Sequence, residues 1–259
     1  MEKKKNAAIS CDEDEAVVER QGANGDEENM TQNENNAEQT PPTAVEQGGA
    51  DEIKELGTVP GGNILTVSII GQVEGHYLLP ETQKTTKYEH ILPLLSSAEQ
   101  DFRIKGLLVI INTVGGDVEA GLAIAEMLAG MSKPTVSLIL GGGHSIGLPI
   151  ACACGKSFCV PSASMTVHPV RITGTVIGVP QSFVSLDKMQ ERVNGFIVSH
   201  SRITDEKLTE LMTNTGELAT DVGSVISGKE AVEAGLIDAI GGISDAYSAL
   251  REEMAKRGI

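Results

Sequence analysis

From Gly62 onward the chain alternates short apolar runs with glycine-rich turns and with longer stretches of helical periodicity. Ile64–Ile70 and Leu107–Asn112 are compact aliphatic runs bounded by turn residues, and they predict buried strands. Asp117–Ala129 places Val118, Leu122, Ala125 and Leu128 on one stripe and predicts a helix. Pro134–Leu140 predicts a third strand, Ser145–Cys154 a buried helix behind a glycine turn, and Ser157–Val160 and Met165–His168 two short strands. A long helix is expected from Pro180, a residue suited to the first helical position, with Phe183, Leu186, Met189, Val193, Phe196 and His200 recurring every three or four residues. Asp205–Thr213 predicts another helix, Lys229–Ala234 a helical turn stopped by Gly235, Leu236–Ile240 a strand, and Ser244–Lys256 a closing helix. Apolar strands alternating with helices predict an α/β domain built on a largely parallel sheet.

Residues 1–57 break this pattern. They hold no aromatic residue, fifteen acids and five Lys or Arg, so they carry −10 of the chain's −16 formal charge. Such a segment buries too little apolar surface to offset its chain entropy, and a disordered acidic tail over 1–57 ahead of one domain over 58–259 is expected. The acidic balance argues against nucleic acid as a partner. The start, Met-Glu-Lys-Lys-Lys-Asn, has no apolar stretch behind it, and no window reaches the ~18 apolar residues of a membrane span. A cytoplasmic protein with reduced thiols is therefore expected. Cys152, Cys154 and Cys159 lie close together, but their spacing lacks a clean fourth ligand, so packed core thiols are favoured over a zinc site.

The candidate chemistry sits in the glycine turns. Gly143-His144-Ser145-Ile146-Gly147 fits the G-x-S-x-G pattern, in which glycines permit the sharp turn that lifts a serine oxygen out of the sheet. Ser145 as a plain helix cap is the structural alternative. Asn112-Thr113-Val114-Gly115-Gly116-Asp117 also runs strand, glycine pair, helix. Two such turns at the carboxyl ends of neighbouring strands aim backbone amides at one site, and the N–H groups of Gly116 and Ile146 are candidates for an oxyanion hole. The alternative for that glycine pair is close packing alone. His168, ending a short strand, is the candidate general base for Ser145. His144 should point away from the serine it precedes, His76 and His90 lie ahead of the glycine turns, and His200 continues an apolar helical stripe. No metal or nucleotide is required.

Gly115-Gly116, Ser145, His168-Pro169 and the segment Ser227-Gly228-Lys229-Glu230-Ala231-Val232-Glu233-Ala234-Gly235-Leu236-Ile237-Asp238 together resemble the ClpP family of serine peptidases. The runs Lys84–His90, Asn112–Ala123 and Gly141–Gly147 resemble in particular its translocation-enhancing subfamily. The resemblance spans residues 62–245. It implies a ClpP/crotonase-like fold with repeated β-β-α units and a protruding long helix. It also implies a homo-oligomeric ring, endopeptidase action on peptides or unfolded proteins, and no cofactor, while leaving any unfoldase partner unknown. In that family an aspartate orients the histidine. Simple alignment puts Gly223 at its place, and Asp221, two residues earlier, is assigned the role, with Asp205 as an alternative. The glutamine that the family carries between histidine and proline is missing here. Three rivals are weighed: a crotonase-type acyl-CoA enzyme, a non-catalytic scaffold of the same fold, and a Ser–Lys peptidase using Lys188.

Overall fold

The structure, a computed structural model, describes residues 62–174, 177–216 and 222–259. The tail expected over 1–57 lies outside the described residues. In chain order the elements are β1 (Ile64–Glu74), β2 (Thr85–Lys87), α1 (Tyr88–Gln100), β3 (Gly106–Gly116), α2 (Val118–Ala129), β4 (Thr135–Gly143), α3 (Gly147–Cys152), β5 (Lys156–Cys159) and β6 (Ser164–Val167). There follow α4 (Val179–Ser199), α5 (Asp205–Met212), β7 (Ser224–Ser227), α6 (Gly228–Glu233), β8 (Ala239–Ile240) and α7 (Ile243–Lys256).

The main sheet runs in the order β2-β1-β3-β4-β5-β8, with every neighbouring pair parallel. At its carboxyl edge β6 meets β4 at Gly142 and Ser164, then pairs antiparallel with β7. The β-β-α alternation appears as β1-β2-α1 and β5-β6-α4, whereas β3 and β4 pass straight into helices.

The aliphatic runs of β3 and β4 become strands buried on both faces because helices cover both, whereas β1 buries one face more fully than the other. Leu107, Val109 and Ile111 join one core cluster with Ile91 and Leu95 of α1 and Ile124 and Leu128 of α2. The alternate residues Leu108, Val136 and Leu138 face the opposite way, against Ala246, Leu250 and Met254 of α7. This is the two-residue period of a strand expressed across two layers. With hardly any aromatics, the core is filled by branched aliphatics.

Several boundaries differ from the sequence reading. Strands β3 and β4 outlast their apolar runs because their glycine tails keep pairing, with a register shift between Ile111 and Thr113. Leu236 and Ile237 are buried but not in a strand: both N–H groups turn back to the carbonyl of Ala231, so only Ala239–Ile240 pairs. Helix α3 starts at Gly147 rather than Ser145. Unforeseen elements are β2, three polar residues long, β7, and α1, whose periodicity is interrupted by Pro93. Helix α4 buries only Phe196 and Ile197, near its end; Val179 and Phe183 in its first half are 71% and 69% exposed.

Ile139 is fully buried in β4. Ile139→Ala should lower the unfolding free energy by about 2–5 kcal/mol, seen as a lower denaturation midpoint with the slope unchanged.

Candidate active site

Ser145 leaves the end of β4 on a turn fixed by backbone bonds to both neighbouring strands. His144 N–H donates to the Thr113 carbonyl of β3 at 3.2 Å, and Ser145 N–H donates to the Thr166 carbonyl of β6 at 2.9 Å. The chain then folds back, with Gly147 N–H on the His144 carbonyl and Leu148 N–H on that of Ser145. Ser145 adopts φ +55°, the one non-glycine residue with positive φ among those described. A non-glycine residue in the left-handed region costs roughly 1–2 kcal/mol, so the fold holds this residue against its own preference.

The glycine pair of β3 lies directly beneath. A Cβ on Gly115 would lie 2.7 Å from Ser145 Cβ, and one on Gly116 would lie 2.1 Å from the Val73 carbonyl oxygen. Any side chain at 116 would force β1 and β3 apart. Gly116, Ser145, Ile146 and His168 line one open cleft, walled on its apolar side by Leu148, Val193 and Leu208. Among the described residues no acceptor meets Ile146 N–H. That donor is available to a developing oxyanion.

His168 follows the last residue of β6. Its Nδ1 lies 2.7 Å from the carbonyl oxygen of Pro169. A carbonyl only accepts, so Nδ1 carries a proton, and in the neutral ring the lone pair is then on Nε2. No hydrogen bond joins Ser145 Oγ to His168 among the described residues; apo sites commonly close that bond only with substrate present.

Asp221 lies outside the described residues. Gly223 sits against the base: at φ +126°, a Cβ there would lie 2.4 Å from the Val167 carbonyl and 2.8 Å from His168 Cβ. That place has room for glycine alone and supplies no carboxylate to His168. Asp205 is exposed at the start of α5, and Lys188 is exposed on α4 and does not line the cleft.

Of the remaining histidines, His76, His90 and His200 stand apart from the cleft, whereas His144 neighbours His168. His76 Nδ1 is 3.2 Å from the Tyr88 hydroxyl, His90 is exposed, and His200 stacks on Phe196 at 4.1 Å. His144 Nδ1 pairs with Thr166 Oγ1 at 2.8 Å. Desolvation, then the neighbouring His168, lower its pKa from the ordinary value of 6.5. Burial pushes the thiols of Cys152 and Cys154 up to about 12 and that of Cys159 to about 11, which makes them packing groups rather than nucleophiles. Among the described residues no three His, Cys, Asp or Glu side chains cluster to hold a metal.

Three cleft residues escaped the sequence reading. Thr166 supplies the carbonyl that anchors Ser145, and Gln190 and Asn194 line the cleft from α4. The last two were visible as polar residues four apart, interrupting the stripe of Met189, Val193 and Phe196.

Ser145→Gly should raise stability by about 1 kcal/mol, read from the denaturation midpoint, because it relieves the left-handed strain. The fold lowers the pKa of His144, so acidification below its ordinary value of 6.5 protonates the unfolded chain first and lowers stability. A pH series of melting temperatures should fall less steeply below pH 6.5 in His144→Gln than in the parent.

Residues 66–244 match the Clp protease family. A translocation-enhancing protein TepA from Halalkalibacterium halodurans is 57% identical over 212 residues, which make up 80% of this chain and 83% of that one. An ATP-dependent Clp protease proteolytic subunit 1 from Chlamydia muridarum is 30% identical over 138 residues, 52% of this chain and 69% of that one. Among solved structures, a point mutant of ClpP1 from Listeria monocytogenes shares the fold at a TM-score of 0.54 and 22% identity, over 70% of this chain and 93% of that one. No helix among the described residues is long and apolar enough to cross a membrane. The match over most of its length, on the fold just described, means that this chain belongs to the Clp protease family, with a translocation-enhancing protein among its near relatives.

Proposed function

We propose that the protein is a serine endopeptidase acting on peptides or unfolded proteins, with Ser145 as nucleophile and His168 as general base. The observation that carries this reading is the convergence of Ser145, His168, Gly116 and Ile146 on one cleft, with Nε2 of His168 left as the basic nitrogen. His168 Nε2 takes the Ser145 hydroxyl proton as Oγ bonds to the peptide carbonyl carbon. The carbonyl oxygen becomes an oxyanion facing the N–H groups of Gly116 and Ile146, each such donor being worth about 3 kcal/mol of barrier. His168 then gives the proton to the leaving amine, and water, activated by the same imidazole, hydrolyses the acyl-enzyme. Asp221 is the carboxylate we assign to stabilise the imidazolium. No metal or nucleotide enters these steps.

The first half of α4 carries the exposed apolar residues Val179, Phe183 and Val184, and we assign it to contacts between copies in a ring that encloses the clefts. Unfolded chains are the substrates we favour, the state in which a polypeptide is translocated, in keeping with the name of the 57% identical relative.

A second reading, a non-catalytic scaffold, draws on two observations: no hydrogen bond joins Ser145 to His168 among the described residues, and a glycine stands where the family's aspartate aligns. Fluorophosphonate should label Ser145 in the parent and not in Ser145→Ala, and peptide hydrolysis should vanish in both Ser145→Ala and His168→Ala. Labelling or hydrolysis that persists in both variants rules out this mechanism; a parent protein that neither labels nor cleaves favours the scaffold.

A further inference from the structure

The peptide unit that joins Pro169 to Val170 is engaged at both ends. Its carbonyl accepts from His168 Nδ1–H at 2.7 Å, and its N–H donates to Gln190 Oε1 at 2.7 Å. One turn further along α4, Gln190 Nε2 donates to Asn194 Oδ1, also at 2.7 Å. The directions are forced: Val170 N–H can only donate, so the amide atom facing it is oxygen, and the Gln190 nitrogen must then find an acceptor. The result is one continuous run of hydrogen bonds from a helix side chain, through a backbone amide, to the ring of the candidate base.

We propose that Gln190, held by Asn194, is a positioning residue that sets the tautomer and ring orientation of His168 through the Pro169–Val170 peptide. This rests on the reading of His168 as the base for Ser145. A peptide unit is planar and rigid, so fixing its N–H fixes the direction of its carbonyl. Proline at 169 confines His168 to extended backbone, which leaves ring rotation as the freedom to be controlled. Each bond in such a chain polarises the next, so the far end acts on Nδ1–H without touching it. The arrangement answers the crowding at Gly223, which keeps a side chain off the Cβ side of the imidazole. Without Gln190 the part-buried Val170 N–H has no acceptor, the peptide can turn, and the Pro169 carbonyl leaves the ring.

The test uses the full chain with isotope-labelled histidine, sedimented for solid-state NMR, with the His168 signals identified by their loss in His168→Ala. The parent should show the Nδ1–H tautomer. Gln190→Leu should shift His168 toward Nε2–H or a mixture, and should slow fluorophosphonate labelling of Ser145 by about tenfold, the worth of one hydrogen bond. Gln190→Glu keeps the acceptor and adds a negative charge, so it should hold the Nδ1–H tautomer. It should also label faster than Gln190→Leu and move the acid limb of the pH–rate profile upward, since the charge favours imidazolium. A residue that only supports packing would lower the melting temperature without moving that limb or the tautomer. An Nε2–H tautomer in the parent, or an unchanged His168 signal in a folded Gln190→Leu, overturns the proposal. The tautomer measurement does not need peptidase activity: if the parent never labels while the tautomer responds as stated, the peptidase reading fails and the role of Gln190 stands.

Discussion

A single backbone hydrogen bond, from Ser145 N–H to the Thr166 carbonyl, determines how the candidate site is assembled. It ties the turn that ends β4 to the middle of β6. His168 lies two residues beyond Thr166, and along an extended chain residues two apart project to the same side. Fixing Thr166 to residue 145 therefore delivers His168 to the same cleft as the serine, although they are separated by a helix and two strands in sequence. The same bond draws residue 145 into the left-handed region, a conformation an isolated serine would avoid.

That bond is sustained by the sheet beneath it. The central strands β3 and β4 are parallel and packed between two cores along their aliphatic runs, which holds the glycine-rich ends that emerge from those runs in register. The glycines at those ends serve proximity: with no side chain at 115 or 116, β3 lies close under the serine and against Val73 of β1. Rigid aliphatic packing below and side-chain-free backbone above are two parts of one arrangement, which holds amides and a hydroxyl close together at the edge of the sheet.

The surroundings of His168 divide the work differently. Its backbone is restrained by the proline that follows, and its ring by the Pro169 carbonyl. On one side stands His144, whose pairing with Thr166 keeps a second imidazole close while burial and the neighbouring ring disfavour its charge. On another stands α4, reaching in with Gln190 and Asn194. The helix that exposes apolar residues in its first half thus also contributes polar groups to the cleft wall in its second.

The sequence by itself determined the alternation of strands and helices, the parallel character of the sheet, and which serine, histidine and glycine turns were candidates for one cleft. These are local features: an aliphatic run such as Leu107–Ile111 has one stable use, and Gly143-His144-Ser145-Ile146-Gly147 carries its turn in five adjacent residues. Only the tertiary structure decided that Leu236 and Ile237 turn rather than pair, that Thr-Thr-Lys at 85–87 becomes an edge strand, and that α3 begins after the serine. It also decided that Gly223 abuts His168 and that Gln190 reaches Val170. Those outcomes depend on which distant backbone atom happens to face a given N–H, and hydrophobic periodicity, which reports burial, does not encode the direction of a hydrogen bond.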